Sequence, residues 1–183
     1  MQTEIETRFL DIDKAALLAK LAALGARDLG DEKLDEVIYH AADGSWVGKR
    51  KFIRLRKTKD KVKLTYKENV AQAVDSAREI ELTVSDMEKC GELFEKIGLI
   101  AMRRLEKYRH TFTLDDVTLD IDTWPKVPPY VELEGPSVEA LQATSARLGL
   151  DWDKRFDGDA REVFRKYGYD MDKLTVITFD EFR

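Results

Sequence analysis

The chain has 183 residues, of which 43% are hydrophobic and 37% are charged, and its formal net charge is −5. This composition indicates a folded protein, and the length suits one domain, which we expect to span residues 1–183. The negative charge argues against a surface that coats nucleic acid or an anionic membrane, and no apolar run is long enough to cross a bilayer. The single cysteine, Cys90, excludes an internal disulfide framework. The charged N-terminus is unlike a signal peptide, so we expect a cytoplasmic protein.

Alternation of polar and apolar residues predicts eight strands, and helical periodicity predicts four helices. The strands are expected at residues 2–9, 34–40, 50–57, 61–68, 77–84, 101–113, 116–123 and 130–134. Three helices are expected between a capping residue and a terminal glycine, and a fourth near the C-terminus: Asp13 to Gly25, Ser85 to Gly98, Ser137 to Gly149 and residues 160–167. Antiparallel strands interrupted by a few helices indicate an α+β fold with a large sheet or barrel.

Basic residues are concentrated in one stretch of the chain. Residues 47–67 contain ten of the 31 lysines and arginines but only one acid, Asp60. A hydrated hairpin would explain the lysines near its turn. It explains Arg54 and Arg56 less well, because they lie within a predicted strand.

Strand parity places charged side chains on one face of seven strands. From the first strand to the last, these groups are Glu4, Glu6 and Arg8; Arg54 and Arg56; Lys61, Lys63 and Lys67; Glu79 and Glu81; Lys107 and Arg109; Asp120 and Asp122; and Glu132 and Glu134. A sheet with one hydrated face also alternates in this way, which is the simpler interpretation. However, such faces usually mix neutral polar residues with both signs of charge.

If these charges face inward, they require counterions. Two like charges ~4 Å apart repel by roughly 4 kcal/mol at an effective dielectric constant of ~20. The carboxylates would then require cations, and the basic residues would require an anion with several charges. A polyphosphate with bound Mg²⁺ or Mn²⁺ satisfies both, since hard divalent cations prefer carboxylate oxygens.

Seven short motifs resemble the CYTH superfamily, the triphosphate tunnel metalloenzymes, which include class IV adenylyl cyclases and thiamine triphosphatases. The first, Glu4-Ile5-Glu6-Thr7-Arg8, resembles the family's ExExK signature. The others follow in the family's order and are Arg54-Leu55-Arg56, Thr65-Tyr66-Lys67, Glu79-Ile80-Glu81, Lys107-Tyr108-Arg109, Asp120-Ile121-Asp122 and Glu132-Leu133-Glu134. We therefore treat residues 1–183 as one domain similar to this family.

The resemblance implies a closed eight-stranded antiparallel β-barrel, a triphosphate tunnel with a charged interior and flanking helices. It assigns phosphate binding to Arg8, Arg54, Arg56, Lys67, Lys107 and Arg109, with Lys67 and Lys107 as catalytic groups. It assigns divalent metal to Glu4, Glu6, Asp120, Glu132 and Glu134, with Glu79, Glu81 and Asp122 as auxiliary residues. One departure is Arg8, where the family usually has lysine. A guanidinium can clamp phosphate but cannot transfer a proton as an amine can.

The expected function is divalent-metal-dependent hydrolysis of a triphosphate, which could be inorganic triphosphate, thiamine triphosphate or a nucleoside triphosphate. One alternative is a class IV adenylyl cyclase that converts ATP to cyclic AMP and pyrophosphate. Another is a non-enzymatic protein that binds polyphosphate or nucleotide. The expected partner is a triphosphate-containing small molecule, with Mg²⁺ or Mn²⁺ and with neither nucleic acid nor membrane. The protein is expected to be a monomer or a homodimer.

Overall fold

The computed structural model of the chain describes residues 2–46, 48–49, 51–69 and 77–183, and only the backbone of residues 2–4, 69 and 77. Its strands are β1 (Gln2–Phe9), β2 (Arg27–Ala41), β3 (Lys51–Lys57), β4 (Val62–Asn69), β5 (Ala77–Val84), β6 (Leu99–Leu114), β7 (Val117–Trp124), β8 (Val127–Gly135) and β9 (Val176–Ile177). Its α-helices are α1 (Lys14–Ala23), α2 (Met87–Lys96), α3 (Val138–Leu148) and α4 (Ala160–Lys166). None of the described helices is long and apolar enough to cross a membrane.

The predicted strands and helices are confirmed in kind, with two instructive differences. β2 begins at Arg27 rather than at residue 34. Its first part, residues 27–33, is mostly polar and exposed, so no alternation marks it; it is a strand because its backbone pairs with β6. The cap of α2 is Asp86 rather than Ser85, since the Asp86 carboxylate accepts two backbone N–H bonds of the first turn, each of 3.0 Å.

Eight strands form one curled antiparallel sheet in the order β2-β3-β4-β5-β1-β8-β7-β6. β2, at one end of this order, also pairs with β6, at the other end, along its whole length. Backbone pairing is most limited at β1, because only its residues 2–4 pair with β5 and its residues 5–9 pair with β8. β9 adds a short parallel pairing to β6 at Arg104 and Leu105, beyond the end of β7.

Helices cover the outer face of the sheet with two apolar clusters. The first joins α1 and α3 to β1, β6, β7 and β8, through Leu17, Leu21, Leu141 and Leu148 on the helices and Phe9, Phe112, Leu119, Ile121, Val131 and Leu133 on the strands. The second joins α2 to β2, β3 and β6, through Phe94, Tyr39, Leu55 and Leu99. Cys90 of α2 packs at the edge of this second cluster. These clusters leave the other face of the sheet free for charged side chains.

The inner face is not charged over its whole length. At one end it carries apolar side chains that pack against the C-terminal part of the chain, and this apolar end cluster comprises Ile38, Leu105, Trp124, Val127, Tyr130, Val163, Phe164, Met171 and Ile177. Phe164 is fully buried and meets the Trp124 ring edge to face, with centroids 5.5 Å apart. The prediction of a charged interior is therefore correct for only part of the inner face, because the C-terminal segment packs against the rest with apolar side chains.

We expect Phe164→Ala to lower the free energy of unfolding by about 3–5 kcal/mol, because it opens a cavity in the apolar end cluster. Phe179→Ala is the matched control, since Phe179 is 41% exposed and its ring lies against the half-exposed Tyr108 ring. Denaturant unfolding followed by circular dichroism measures both. Equal losses in the two variants would contradict the role of the C-terminal segment in the core.

Candidate functional site

The charged side chains of the inner face converge across the curl. Glu132 on β8 lies close enough to Lys67 on β4 for their charges to interact, although two strands separate β8 from β4 in the sheet. Glu134 on β8 interacts in the same way with Glu79 on β5. The face is concave because β2 also pairs with β6 at the other end of the strand order, so the charges line one cavity and not a flat hydrated surface.

The basic side of this cavity is built by β3 and β4. Arg54 and Arg56 project from one face of β3, and Thr65 of β4 is the register partner of Arg54. The Nε of Arg56 donates to a carboxylate oxygen of Glu36 over 2.7 Å. Within the described part of the chain, the Nε of Arg54 and the Oγ1 of Thr65 are buried without a hydrogen-bond partner. Burial and the neighbouring charge of Arg56 lower the pKa of Arg54. Such buried groups can be satisfied by an anionic acceptor.

Lys107 lies deep in the site, where a carboxylate and an aromatic ring lie next to its ammonium. Its Nζ donates to Asp122 over 2.7 Å and lies 4.9 Å from the centroid of the Trp124 ring. Burial and the nearby charge of Arg109 lower the pKa of Lys107 to about 8, and Asp122 only partly opposes them. Lys107 can therefore change protonation near neutral pH.

Arg109 is bound by carboxylates of two strands. Its Nε and Nη2 donate to the two oxygens of Asp122, each over 2.7 Å, and its Nη1 donates to Asp120 over 2.5 Å. Glu132 lies 3.5 Å from Nη2. Although burial opposes the charged form, Asp122 and Asp120 raise the pKa of Arg109 well above its ordinary value. This forked pairing keeps Arg109 cationic and fixes its orientation.

Arg8 links the acidic strands to the C-terminal segment. Its Nη2 lies 3.0 Å from Glu6 and 2.5 Å from Glu132, and its Nη1 donates to the carbonyl of Gly158 over 2.8 Å. The backbones of Arg8 and Phe156 also exchange two hydrogen bonds. Burial opposes the charge of Arg8, but Glu132 and Glu6 raise its pKa. Arg8 is therefore held by carboxylates of β1 and β8 on one side and by the C-terminal segment on the other.

The acidic side has oxygen donors of the kind that a hard divalent cation binds. Glu6 and Glu134 are register partners on β1 and β8, and Asp120 and Glu132 are partners on β7 and β8. Burial and the charges of Glu132 and Glu6 raise the pKa of Glu134. Among the described residues, no three potential ligands already form a metal-binding group. The donor chemistry fits a divalent cation, but arginines now hold three of these carboxylates.

The other predicted residues are divided between the cavity and its surroundings. Glu79 pairs with Lys67 over 2.9 Å and belongs to the cavity. Glu81 is exposed and pairs with Lys63 over 2.7 Å, so it does not join the acidic group. The backbone of Glu4 lies in β1, but its side chain lies outside the described residues, and its assignment stays a prediction.

Sequence reasoning did not select Glu36 and Thr65 as site residues. The signal for Thr65 was available, because it shares parity with the lysines of β4. Glu36 carries no such signal, since its neighbours of the same parity, Leu34 and Ile38, are apolar. Its strand passes from the charged part of the inner face to the apolar part, which hides the pattern.

A family model, described as the CYTH domain, matches residues 2–156. A protein of Methanocaldococcus jannaschii named "Putative adenylate cyclase MJ0240" is 24% identical over 132 residues, which cover 72% of this chain and 75% of that protein.

Two solved structures show the same fold. A Pyrococcus horikoshii protein superposes with a TM-score of 0.74 at 24% identity and covers 87% of this chain and 98% of its own. A Hippeastrum protein, described as an adenylyl cyclase candidate that reveals a dominant triphosphatase activity, superposes with a TM-score of 0.65 at 16% identity. It covers 91% of this chain and 96% of its own. Identities this low carry the fold only.

We expect binding of tripolyphosphate without metal to weaken as the pH rises from 7 to 9. With a pKa near 8, Lys107 loses its positive charge, and if this charge attracts the anion, the affinity that depends on it falls by up to about tenfold per pH unit above 8. Titration calorimetry in EDTA measures the affinity. Lys107→Arg removes this titration, so comparing the two proteins at each pH cancels the ionisation of the ligand itself. Parallel pH profiles would contradict the assignment.

Proposed function

The chain belongs to the CYTH domain family, and from this premise we propose that its charged cavity binds a triphosphate and hydrolyses it with a bound divalent cation. The proposal rests first on the unpaired polar atoms of the basic side. The Arg54 Nε and the Thr65 Oγ1 are buried next to each other and lack partners among the described residues. Burying a polar group without a partner costs about 1–3 kcal/mol, so this point of the cavity favours an anionic oxygen.

Further phosphate contacts come from residues around this point. Among the described residues, the Arg56 side chain donates only from its Nε, to Glu36, so its terminal nitrogens would be available to a phosphate. Lys67 and Lys107 would add positive charge along the phosphate chain. In the proposed reaction a water attacks the terminal phosphorus, and the bond to the bridging oxygen breaks. Lys107, with a pKa near 8, is suited to protonate the leaving oxygen.

We extend to this chain the metal dependence of the CYTH family. Glu4, Glu6, Asp120, Glu132 and Glu134 would hold Mg²⁺ or Mn²⁺. Such a cation supplies positive charge that polarises phosphoryl oxygens and acidifies a nearby water. When these carboxylates turn to the cation, Arg8 would lose Glu6 and Glu132, and Arg109 would lose Asp120 and Glu132, which frees part of each guanidinium for phosphate oxygens. Asp122 and Glu79 would keep Lys107, Arg109 and Lys67 in place.

The proposal includes a closed tunnel. It is supported by the pairing of β2 with β6, which joins the two ends of the strand order. The apolar end cluster fills one end of the inner face, so the triphosphate would enter from the other end. We also propose that the protein acts in the cytoplasm as a monomer or homodimer, without nucleic acid or membrane.

Cyclisation of ATP is the second candidate, and the adenylate cyclase name of the M. jannaschii relative favours it. There the ribose 3′-hydroxyl would attack the α-phosphorus and pyrophosphate would leave. Assays of inorganic triphosphate, thiamine triphosphate and ATP with Mg²⁺ or Mn²⁺ separate the candidates. Release of orthophosphate supports hydrolysis, cyclic AMP with pyrophosphate supports the cyclase, and binding without turnover supports a sensor.

We expect Arg54→Gln to lower kcat/KM for the hydrolysed triphosphate roughly 10- to 100-fold, because it removes a charge-assisted phosphate contact. Arg104→Gln is the matched control, since Arg104 lies on the outer face of β6 and pairs with Asp35. Orthophosphate release measures both variants. An equal loss in the control, or none in Arg54→Gln, would count against the basic side as the phosphate site.

We expect Glu134→Gln to weaken Mg²⁺ binding and turnover together, by about tenfold or more, because it removes one charged ligand. Metal-free binding of tripolyphosphate should persist or strengthen, since the cavity becomes more positive. The control is Glu81→Gln, an exposed position on β5. Calorimetry with EDTA and with Mg²⁺ measures both effects. An unchanged Mg²⁺ dependence in Glu134→Gln would contradict the metal assignment.

A further inference from the structure

Glu36 is an acidic side chain on the basic side of the cavity. It projects from β2, where its register partners are Arg56 on β3 and Leu105 on β6, and it lies close enough to Arg54 and Lys107 for their charges to act on it. Its side chain is almost completely buried, with a residue exposure of 2%. Its only hydrogen bond within the described part of the chain is the 2.7 Å contact with the Arg56 Nε.

This carboxylate is charged under all ordinary conditions. Burial alone would raise its pKa, but the positive charges of Arg56 and Arg54 lower the pKa of Glu36 to about 2. A buried ion pair of this kind is costly to desolvate, so stability alone is weak evidence for its role. What it brings to the site is a permanent negative charge beside the groups that would bind phosphate.

We propose that Glu36 is a specificity-determining residue that limits the negative charge of the ligand. It biases the cavity toward triphosphate esters of an organic group and against inorganic tripolyphosphate. The inference rests on the proposed function and deepens it. Fully ionised tripolyphosphate carries one more negative charge than a triphosphate ester. A fixed carboxylate that is hydrogen-bonded to a proposed phosphate-binding arginine therefore repels tripolyphosphate more strongly than it repels the ester.

The test is the preference between two ligands, measured as the ratio of their dissociation constants. Tripolyphosphate and ATP are titrated in EDTA at one pH into the wild type, Glu36→Gln and Asp35→Asn. Glu36→Gln keeps an oxygen for Arg56 and removes the charge. Asp35→Asn removes the same charge one residue away, on the outer face, where Asp35 pairs with Arg104. Because each ratio is compared with that of the wild type, contacts to adenine cancel.

We expect Glu36→Gln to shift the preference toward tripolyphosphate by roughly tenfold, the effect of one additional ligand charge after partial screening. Asp35→Asn should leave the ratio within about twofold. Glu36→Met, which can pack against Leu105 and Ile38, offers a second neutral side chain if Glu36→Gln does not fold. Glu36→Asp keeps the charge and should keep the wild-type preference.

Two results would overturn the inference while leaving the proposed function intact. One is a shift in Glu36→Gln no larger than that in Asp35→Asn, and the other is a tripolyphosphate preference gained by Glu36→Asp. A structural role for Glu36 would weaken both ligands alike and leave the ratio unchanged. Failure of the wild type to bind either ligand, both in EDTA and with Mg²⁺, would overturn the proposed function itself, and the inference with it.

Discussion

The buried ion pairs of the inner face are the constraint on which the rest of the structure depends. Arg109 and Lys107 share Asp122, a carboxylate with no exposed surface. Desolvating each such ion costs several kcal/mol, and removing one partner leaves the other uncompensated. The strands must therefore hold opposite charges in register, and the outer apolar clusters supply the stability that makes this arrangement tolerable.

The same pairing restricts how a ligand can enter. A polyphosphate alone would draw Arg8 and Arg109 away from their carboxylates and leave buried negative charge. A divalent cation alone would take the carboxylates and leave the arginines unpaired. When both bind together, the arginines pair with the polyphosphate and the carboxylates pair with the cation, so no buried charge is left without a partner. The proposed function therefore predicts that the two ligands support each other's binding. Under the proposed function, the Arg54 Nε and the Thr65 Oγ1, which lack hydrogen-bond partners among the described residues, would give the anion a point of entry without this exchange.

The alternation of side chains along a strand predicted the charged face correctly wherever neighbouring residues on that face are all charged. It placed the basic residues of β3 and β6 and the acids of β7 and β8 on one face, as the structure has them. It failed at β2, because Glu36 lies where the inner face changes from charged to apolar. It also could not show which carboxylate each arginine holds, since these contacts join strands far apart in sequence. The sequence also did not predict the apolar end cluster, since its contacts join residues that are far apart in sequence.

The C-terminal segment shows why family motifs alone do not define such a site. Residues 157–183 lie outside the part matched by the family model, yet Gly158 accepts a hydrogen bond from Arg8, within the first motif. The segment also packs Phe164 against Trp124, whose ring lies beside Lys107. It therefore contacts Arg8 directly and Lys107 through the Trp124 ring, and both residues are proposed to bind phosphate. Because Arg8 and Lys107 are held from this side, changes in the C-terminal segment can alter the cavity while every motif residue is unchanged.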